Sequence, residues 1–510
     1  MMNNLISDKD MRVYTIIETL FQAQQPITIA SLAEITKFST RIIKYDLNDS
    51  TAILSKVNGK IVSSLDGLTL QLPSNIGLDY FKRRLYDQSV GFDLLELIFF
   101  DETLTHKEIS EKLFISVSSV KRLITKVRAA LILYGIDLRT KPFEIVGDER
   151  LIRNFYTMYF QERYNVSEWP FSTAYYEFFD KMIERVMVYY GLTSEQYDTN
   201  QFRYQHAVDA IRAIKGYRVE EFFNEGEVTR KRQIKTFFHA MEDVVQKHNI
   251  SEEDITIIFN QAVNWKYYLS PPFMKQRLES DADLREVHEH FLSIITKASE
   301  LFNIPQSDHM HVIFELTNIL ETYNLIPTPE TYKNYLLFNA RDDFSTVIYK
   351  ENFPIFYQFI EEEIIKLCKS RNLFVNQYLI SNLIFTLLSK WNKLFESLYK
   401  NFFVCRVLVY NHISPGHAIN ITEVLNSRFS SSVTTSLYKE TKITEERLAE
   451  YNFDILISSI TLDFYIPQPI YYLWSENINV SFELLRLKVL EIIKDNKEKQ
   501  LEIIKSKMEE

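Results

Sequence analysis

The stretch FISVSSVKRLITKVRAALILYGI, Phe114–Ile136, places four basic residues and no acidic one in a helical pattern, although the chain has a formal net charge of -10. Five apolar residues recur at the i, i+3, i+4, i+7 spacing of one helix face, which predicts that this face packs into a core. They are Val120, Leu123, Ile124, Val127 and Leu131. Ser116 is placed to cap the start of the helix.

The opposite face of this predicted helix combines hydroxyl groups with long cations. Such a face is typical of a surface that meets an anion. Together with the capping serine, Ser116, the candidate contact residues are Ser118, Ser119, Lys121, Arg122, Thr125, Lys126 and Arg128.

A second, shorter amphipathic run lies just upstream, in THKEISEKLF, Thr105–Phe114. Thr105 can cap this run, and Glu108 stands at the position that completes a capping box. Two helices joined by a tight turn, with a basic second helix, are the parts of a helix-turn-helix, whose second helix enters the major groove of DNA.

The residues after Gly135, IDLRTKPFEIVG, predict two short strands about a Lys141-Pro142 turn. This hairpin would form the wing of a winged helix-turn-helix. From this segment alone, two ordinary surface helices with solvated lysines remain an alternative interpretation.

The same arrangement occurs earlier in the chain. PITIASLAEITKF, residues 26–38, is followed by STRIIKYDLNDSTAIL, residues 39–54, in which a serine can cap the second helix. The candidate contacts near the start of that helix are Ser39, Thr40, Arg41 and Lys44.

A candidate wing follows this first pair of helices as well. GKIVSSLDGLTLQL, residues 59–72, alternates apolar and polar residues about Asp66-Gly67, which is a strong hairpin signal. Two independent matches to one three-part pattern favour DNA binding over chance.

Composition sets the fold class. With 510 residues, 46% of them hydrophobic, and only 10 glycines, the chain suggests roughly three to five mostly helical domains. The amino terminus lacks the pattern of a signal peptide and no apolar run is long enough to span a bilayer, so we expect a cytoplasmic protein without a membrane partner. Its two cysteines, Cys368 and Cys405, lack the spacing of zinc ligands and agree with a reducing compartment.

Charge is distributed unevenly along the chain. Residues 1–160 hold 20 Lys and Arg against 19 Asp and Glu, so the net negative charge comes from the later residues. A DNA-binding region needs local cation density rather than a basic whole chain, because each neutralised phosphate contributes through counterion release.

The run from Phe114 to Tyr164 resembles the second helix-turn-helix of the Mga family of Gram-positive virulence regulators, including the Gly147-Asp148-Glu149 step and Arg153. The resemblance implies a mainly α multidomain protein: two winged helix-turn-helix units, central helical bundles and a small C-terminal α/β domain with a parallel sheet. The implied domains are winged units at 1–75 and 76–165, helical domains similar to phosphotransferase-system regulation domains (PRD) at 166–290 and 291–398, and a domain similar to the B component (EIIB) of a sugar phosphotransferase permease at 399–510.

The central region, from about residue 169 to residue 395, is a series of aromatic-rich amphipathic segments that predicts helical bundles. Regulation domains of this kind are phosphorylated on histidine, so the resemblance implies His206 as an acceptor, with Arg203 and Arg212 nearby. A surface or capping role without chemistry is the alternative. Weaker candidates are His288, His290, His309 and His311.

The last third changes character at FFVCRVLVYN, Phe402–Asn411. The order strand, helix, strand, helix, strand predicts a small parallel αβα domain. In true B components a phosphoryl-carrying cysteine follows the first strand, but here that loop reads NHISPGHA and Cys405 falls inside the strand. We therefore interpret the domain as a degenerate, non-catalytic copy.

These observations favour a DNA-binding transcription regulator, not an enzyme, that needs no cofactor or metal. The resemblance implies an activator of virulence or carbohydrate-responsive genes, with promoter DNA, a second copy of the chain and a phosphocarrier protein of the phosphotransferase system as partners. A phosphotransferase-system component and a protein-interaction scaffold with vestigial helix-turn-helix units remain alternatives.

Overall fold

The computed structural model of the chain describes residues 2–164, 168–190, 199–219, 243, 246–247, 271–305, 309–339, 344–429, 432–440, 442–472 and 478–509. These residues are mainly helical, with two small antiparallel hairpins near the amino terminus and one parallel sheet near the carboxyl terminus. The predicted fold class is confirmed.

The first winged unit has three helices and a hairpin. Its elements are α1 (Asp8–Gln22), α2 (Ile29–Thr36), α3 (Thr40–Leu54), β1 (Lys60–Ser63) and β2 (Leu68–Gln71). The strands pair antiparallel, and the helices close on a core of Ile16, Leu20, Leu32, Ile43 and Leu68.

The turn of the first hairpin requires glycine. Gly67 has a φ of 135°, and a Cβ there would lie 2.6 Å from the carbonyl carbon of Ile27. Because the hairpin lies so close to the chain before α2, any side chain at this position would force them apart. The Asp66-Gly67 hairpin prediction is confirmed.

The second unit repeats the plan, with extra helices before and after it. Its elements are α4 (Leu78–Asp87), α5 (Val90–Phe100), α6 (His106–Lys112), α7 (Val117–Leu131), β3 (Ile136–Thr140), β4 (Phe143–Gly147) and α8 (Glu149–Arg163). Aromatic residues of α8 are buried against α5: the hydroxyl of Tyr156 donates to the carbonyl of Leu95 at 3.1 Å, and that of Tyr159 to the carbonyl of Phe92 at 2.9 Å.

Helices dominate the central region. They are α9 (Thr173–Tyr190), α10 (Thr199–Ile214), α11 (Pro271–Arg277), α12 (Ala282–Leu301), α13 (Met310–Asn324), α14 (Phe344–Asn352), α15 (Pro354–Ser370), α16 (Gln377–Lys390) and α17 (Leu394–Phe402). One of the amphipathic segments of the predicted helical bundles, residues 228–248, falls almost entirely outside the described residues.

The chain divides into two compact units, one of residues 1–282, 314–343 and 368–383, the other of residues 283–313, 344–367 and 384–510. The chain therefore passes between these units several times within the central helical region. The five linear domain boundaries stay predictions. No helix within the described residues is long and apolar enough to cross a bilayer.

The carboxyl-terminal domain is the predicted small parallel αβα structure. Its elements are β5 (Cys405–Tyr410), α18 (Pro415–Phe429), β6 (Val433–Leu437), α19 (Glu445–Leu448), β7 (Ile455–Ser458), β8 (Ile470–Tyr471) and α20 (Ile478–Glu509). The strands are parallel in the order β6-β5-β7-β8. Strand β8 was not predicted from the sequence, because a strand of two half-buried residues is too short to give a periodic signal.

A buried carboxylate ties α8 to a segment that comes much later in the chain. The two oxygens of Glu162 accept the backbone N–H groups of Leu336, Leu337 and Phe338 at 2.6, 3.0 and 3.2 Å, and one also accepts the Tyr86 hydroxyl at 2.6 Å. Burial raises the pKa of Glu162, while these hydrogen bonds act in the opposite direction. Three consecutive peptide groups therefore depend on one side chain.

We expect Glu162→Gln to loosen residues 332–339 locally, since an amide nitrogen would face N–H donors that now meet a carboxylate oxygen. Leaving such buried groups unpaired costs about 1–3 kcal/mol, so backbone hydrogen exchange in this segment, measured by mass spectrometry, should accelerate roughly 5- to 150-fold. Glu423→Gln, on the exposed side of α18, is the matched control. Unchanged exchange in Glu162→Gln would contradict the prediction.

Candidate nucleic-acid interface

The two helices of the second helix-turn-helix begin as the sequence predicts. The Thr105 hydroxyl accepts the backbone N–H of Glu108 at 3.3 Å, and the Glu108 carboxylate accepts the backbone N–H of Thr105 at 2.8 Å. The Ser116 hydroxyl accepts the backbone N–H of Ser119 at 3.2 Å, which starts α7 immediately after a tight turn. The capping box and the Ser116 cap are confirmed.

The faces of α7 are separated as the periodicity indicates. Val120, Ile124, Val127 and Leu131 are buried, and Leu123 is half-buried. Seven of the eight candidate contact residues are exposed, and one, Ser119, is half-buried. The exposed ones are Ser116, Ser118, Lys121, Arg122, Thr125, Lys126 and Arg128.

The cations of α7 differ in what they contact. Arg128 forms two hydrogen bonds with the carboxylate of Asp137 on β3, at 2.9 and 2.6 Å, and therefore joins the helix to the wing. This hydrogen bonding raises the pKa of Arg128 and lowers that of Asp137. Within the described part of the chain, Lys121 and Lys126 form no ion pair.

The first unit also presents its candidate residues at the start of its second helix. Ser39 caps α3 by accepting the backbone N–H of Ile42 at 3.3 Å, and Thr40, Arg41 and Lys44 are exposed. The structure thus brings each predicted group to one surface of its own helix.

The position of α3 is fixed from its buried side. Arg12 of α1 donates to both carboxylate oxygens of the fully buried Asp46, at 2.7 and 3.4 Å. Tyr45 beside it is an exposed aromatic residue that sequence reasoning missed, because an aromatic in a helix pattern is usually assigned to the core.

The second wing is linked to helix α10 through hydrogen bonds. The Tyr217 hydroxyl oxygen lies 2.8 Å from a carboxylate oxygen of Glu102 and 2.9 Å from one of Glu144 on β4, so its single proton can be donated to either carboxylate. Glu144 is also paired with Arg139 across the hairpin. The guanidinium carbon of Arg212 lies 3.6 Å from the centre of the Tyr217 ring. Tyr217 lies just after the end of α10, so the carboxyl end of this helix is connected to the wing through Tyr217.

A buried ion network continues from this point into α8. Arg212 is paired with Glu149 at 2.6 Å, and Arg153 is paired with Glu149 at 2.8 Å and with Asp209 of α10 at 3.3 Å. Burial raises the pKa of Asp209 to about 6, while Arg153 acts against that rise. The network holds α10 against the helix that follows the wing.

His206 differs from the expectation of an exposed acceptor ring. It is only 5% exposed, its ring is stacked with Phe179 at a centroid distance of 6.2 Å, and its Nδ1 lies 3.8 Å from Asp209. Burial lowers the pKa of His206 to about 3. In this arrangement His206 is a neutral core histidine, and a phosphocarrier protein could reach it only if the surrounding packing opened.

The arginines expected to interact with a phosphoryl group on His206 are engaged elsewhere. Arg203 is paired with Asp180, and Arg212 with Glu149. Their nearness to His206 in the sequence therefore did not indicate which groups their side chains contact.

The weaker histidine candidates have different surroundings. Burial lowers the pKa of His288 and His311, and His309 is buried with its ring centroid 5.3 Å from that of Trp391. His290 is half-buried, and its Nδ1 lies 2.8 Å from the carbonyl oxygen of Glu286.

The carboxyl-terminal domain keeps its cysteine out of the loop that follows β5. Cys405 is fully buried within the strand, and burial raises the pKa of its thiol to about 12. In the loop itself, the backbone N–H of His412 donates to the Ser459 hydroxyl at 2.9 Å.

Comparison with known proteins agrees with this geometry. Residues 75–160, from just before α4 into α8, match the family model described as the Mga helix-turn-helix domain. This part of the chain is similar to the helix-turn-helix domain of the Mga family. The matched residues include both helices and the wing of the second unit, so the Mga resemblance is confirmed on the elements that first indicated it.

Relatives of this Mga-like chain include three bacterial proteins named as regulators. One, the "Putative trans-acting regulator" of Streptococcus pneumoniae, is 23% identical over 94% of this chain and 96% of its own length. The capsule synthesis positive regulator AcpB of Bacillus anthracis is 24% identical over 42% of this chain and 44% of its own. The corresponding regulator AcpA is 26% identical over 32% and 34%.

Replacing the cap of α7 should fray the end of the helix that carries the candidate contacts. We expect Ser116→Ala to cost about 1 kcal/mol and to accelerate hydrogen exchange at the first-turn amides, including that of Ser119. Ser118→Ala, which changes an exposed hydroxyl with no capping bond to the backbone, should leave exchange nearly unchanged. Equal exchange in both variants would contradict the assigned cap.

Proposed function

We propose that this Mga-like chain is a DNA-binding transcription regulator that acts in the cytoplasm. The observation that carries the proposal is the repeated arrangement of a capped second helix with an exposed face of hydroxyls and cations, followed by a wing. Phosphate contacts from such a face position a protein on DNA, whereas base contacts supply specificity. The names of its relatives, which are regulators, support the same proposal.

Activity is set, in this proposal, by the central helical domains and by association of the chain into a homodimer or larger assembly. The supporting observations are the ion network between α10 and α8, and the hydrogen bond between Tyr217, just after α10, and Glu144 of the second wing. A change in the packing of α10 would alter the support of the wing. Pairing two sets of DNA-binding units would also raise their effective concentration at an operator.

Phosphorylation by a phosphocarrier protein of the phosphotransferase system remains a part of the proposal, with His206 as its candidate acceptor. The negative charge added by a phosphoryl group would enter a core that already holds Asp209, Arg153 and Glu149. Such a modification would therefore favour a different packing of α10 rather than fit the present one. The targets would be virulence or carbohydrate-responsive genes, with the chain as an activator.

A phosphotransferase enzyme component is the less favoured function, because Cys405 is buried in the strand with a raised thiol pKa. A scaffold with vestigial helix-turn-helix units predicts no salt-dependent binding to duplex DNA. Measuring that binding separates the scaffold from the regulator.

Replacing Arg122 and Lys126 by alanine should weaken DNA binding and reduce the dependence of affinity on salt by roughly one phosphate contact each. The measurement is fluorescence anisotropy with the duplex upstream of the coding sequence, titrated at several salt concentrations. Lys499→Ala combined with Lys505→Ala removes the same formal charge from exposed positions on α20 and should leave the salt dependence unchanged. A folded Arg122 and Lys126 double variant with unaltered affinity would reject this surface.

Neutralising Asp137 should have the opposite effect. Asp137→Asn removes a negative charge beside α7 and releases Arg128, so we expect affinity for the same duplex to rise about two- to fivefold and the salt dependence to increase by up to about one phosphate contact. Asp463→Asn, an exposed position in the carboxyl-terminal domain, makes the same charge change as a control. Weaker binding by Asp137→Asn would mean that the wing's position, held by the ion pair, matters more than the freed cation.

A further inference from the structure

The turns before α3 and α7 share one backbone geometry. Each has a residue in the left-handed region, then a half-buried apolar residue, then the capping serine. In the first unit the left-handed residue is Lys37, with a φ of 60°, followed by Phe38. In the second unit it is Phe114, with a φ of 53°, followed by Ile115. The two units therefore place different side chains at the same point of the motif.

Phe114 is an unusual choice for this position. A bulky side chain in the left-handed region is strained, and glycine would adopt the same conformation without that cost. Burial does not offset the strain, because Phe114 is 94% exposed. Residues with a strained backbone are found mainly at functional sites, where the side chain contacts a ligand or partner.

The surroundings of Phe114 indicate what it would contact. It lies two residues before the Ser116 cap, at the end of α7 that carries Ser118, Lys121 and Arg122. An aromatic ring beside hydroxyls and cations matches the chemistry of duplex DNA, in which apolar sugar and thymine methyl groups lie next to phosphates. The corresponding Lys37 is exposed and would meet a phosphate at the same place.

We propose that Phe114 is a DNA-contacting residue that packs against deoxyribose and a thymine methyl group at the edge of the major groove, and so gives the second unit a preference for thymine that the first unit lacks. This inference rests on the proposed function, because it requires the α7 surface to lie on DNA. It assigns base preference to the turn, while the cations of α7 supply affinity that does not depend on sequence.

The test compares full-length wild type with Phe114→Gly and Phe114→Lys. The probes are the duplex upstream of the coding sequence and the same duplex with uracil in place of thymine, which lacks only the methyl groups. Tyr465→Ala, which removes an 82% exposed aromatic residue from the carboxyl-terminal domain, is the matched control. Thermal unfolding is measured in parallel, to separate binding from folding.

We expect Phe114→Gly to unfold at a higher temperature than wild type, because strain is relieved, yet to bind the thymine duplex several-fold more weakly. Uracil should weaken wild type several-fold and Phe114→Gly hardly at all. Phe114→Lys should bind both duplexes equally, with a steeper dependence on salt. Tyr465→Ala should match wild type with both probes.

Three results would overturn the inference in different ways. If wild type binds the duplex with a salt dependence and Phe114→Gly binds it equally well, Phe114 does not contact DNA, while the proposed function stands. If wild type binds neither duplex, the proposed function fails and the assignment of Phe114 fails with it. Equal sensitivity of wild type and Phe114→Gly to uracil would place the thymine contact on another residue.

Discussion

Two buried carboxylates on one helix, Glu149 and Glu162 of α8, hold together parts of the chain that are far apart in sequence. A buried charge is tolerated only where opposite charges or several N–H donors surround it. Glu149 is met by Arg153 and Arg212, and Glu162 by three consecutive backbone N–H groups and a tyrosine hydroxyl. Removing either carboxylate would leave its partners buried without their acceptor, which is why α8 is the element on which this part of the fold depends.

The same arrangement connects a helix outside the winged unit to the wing. Asp148 alone separates the last residue of β4 from Glu149, so the first turn of α8 is joined directly to the wing. Glu144 on the wing and Glu149 on the helix are both contacted from α10 and the residues just after it. A change in the packing of α10 would therefore reach the wing through a few short hydrogen bonds and ion pairs, rather than through a broad contact surface.

Local features of this chain could be predicted from sequence, and long-range ones could not. The Ser116 cap, the Thr105 capping box and the Asp66-Gly67 hairpin depend on residues a few positions apart, and the structure has all three. The parallel direction of β5, β6 and β7 was predicted from the alternation of strands and helices.

The candidate site was predicted less completely, because side-chain partners depend on the tertiary fold. Arg128 is the residue type expected of a phosphate contact. In the fold, however, the first strand of the wing places Asp137 beside it. His206 lies in a segment whose pattern predicts an amphipathic helix, but the structure places it on the buried face of that helix. Phe114 is the first residue of the stretch that indicated the fold. The spacing of apolar residues, however, does not show that its backbone is left-handed or that its ring is exposed.

The burial of sulfur has a chemical consequence for the whole chain. Both cysteines are buried, and burial raises the thiol pKa of Cys368 to about 11 and that of Cys405 to about 12. Since the thiolate is the nucleophile that attacks peroxides and disulfides, very little of either residue is in the reactive form at neutral pH. With no other cysteine in the sequence, the folded protein should resist thiol oxidation, so a redox response through its own cysteines would first require the packing around them to open.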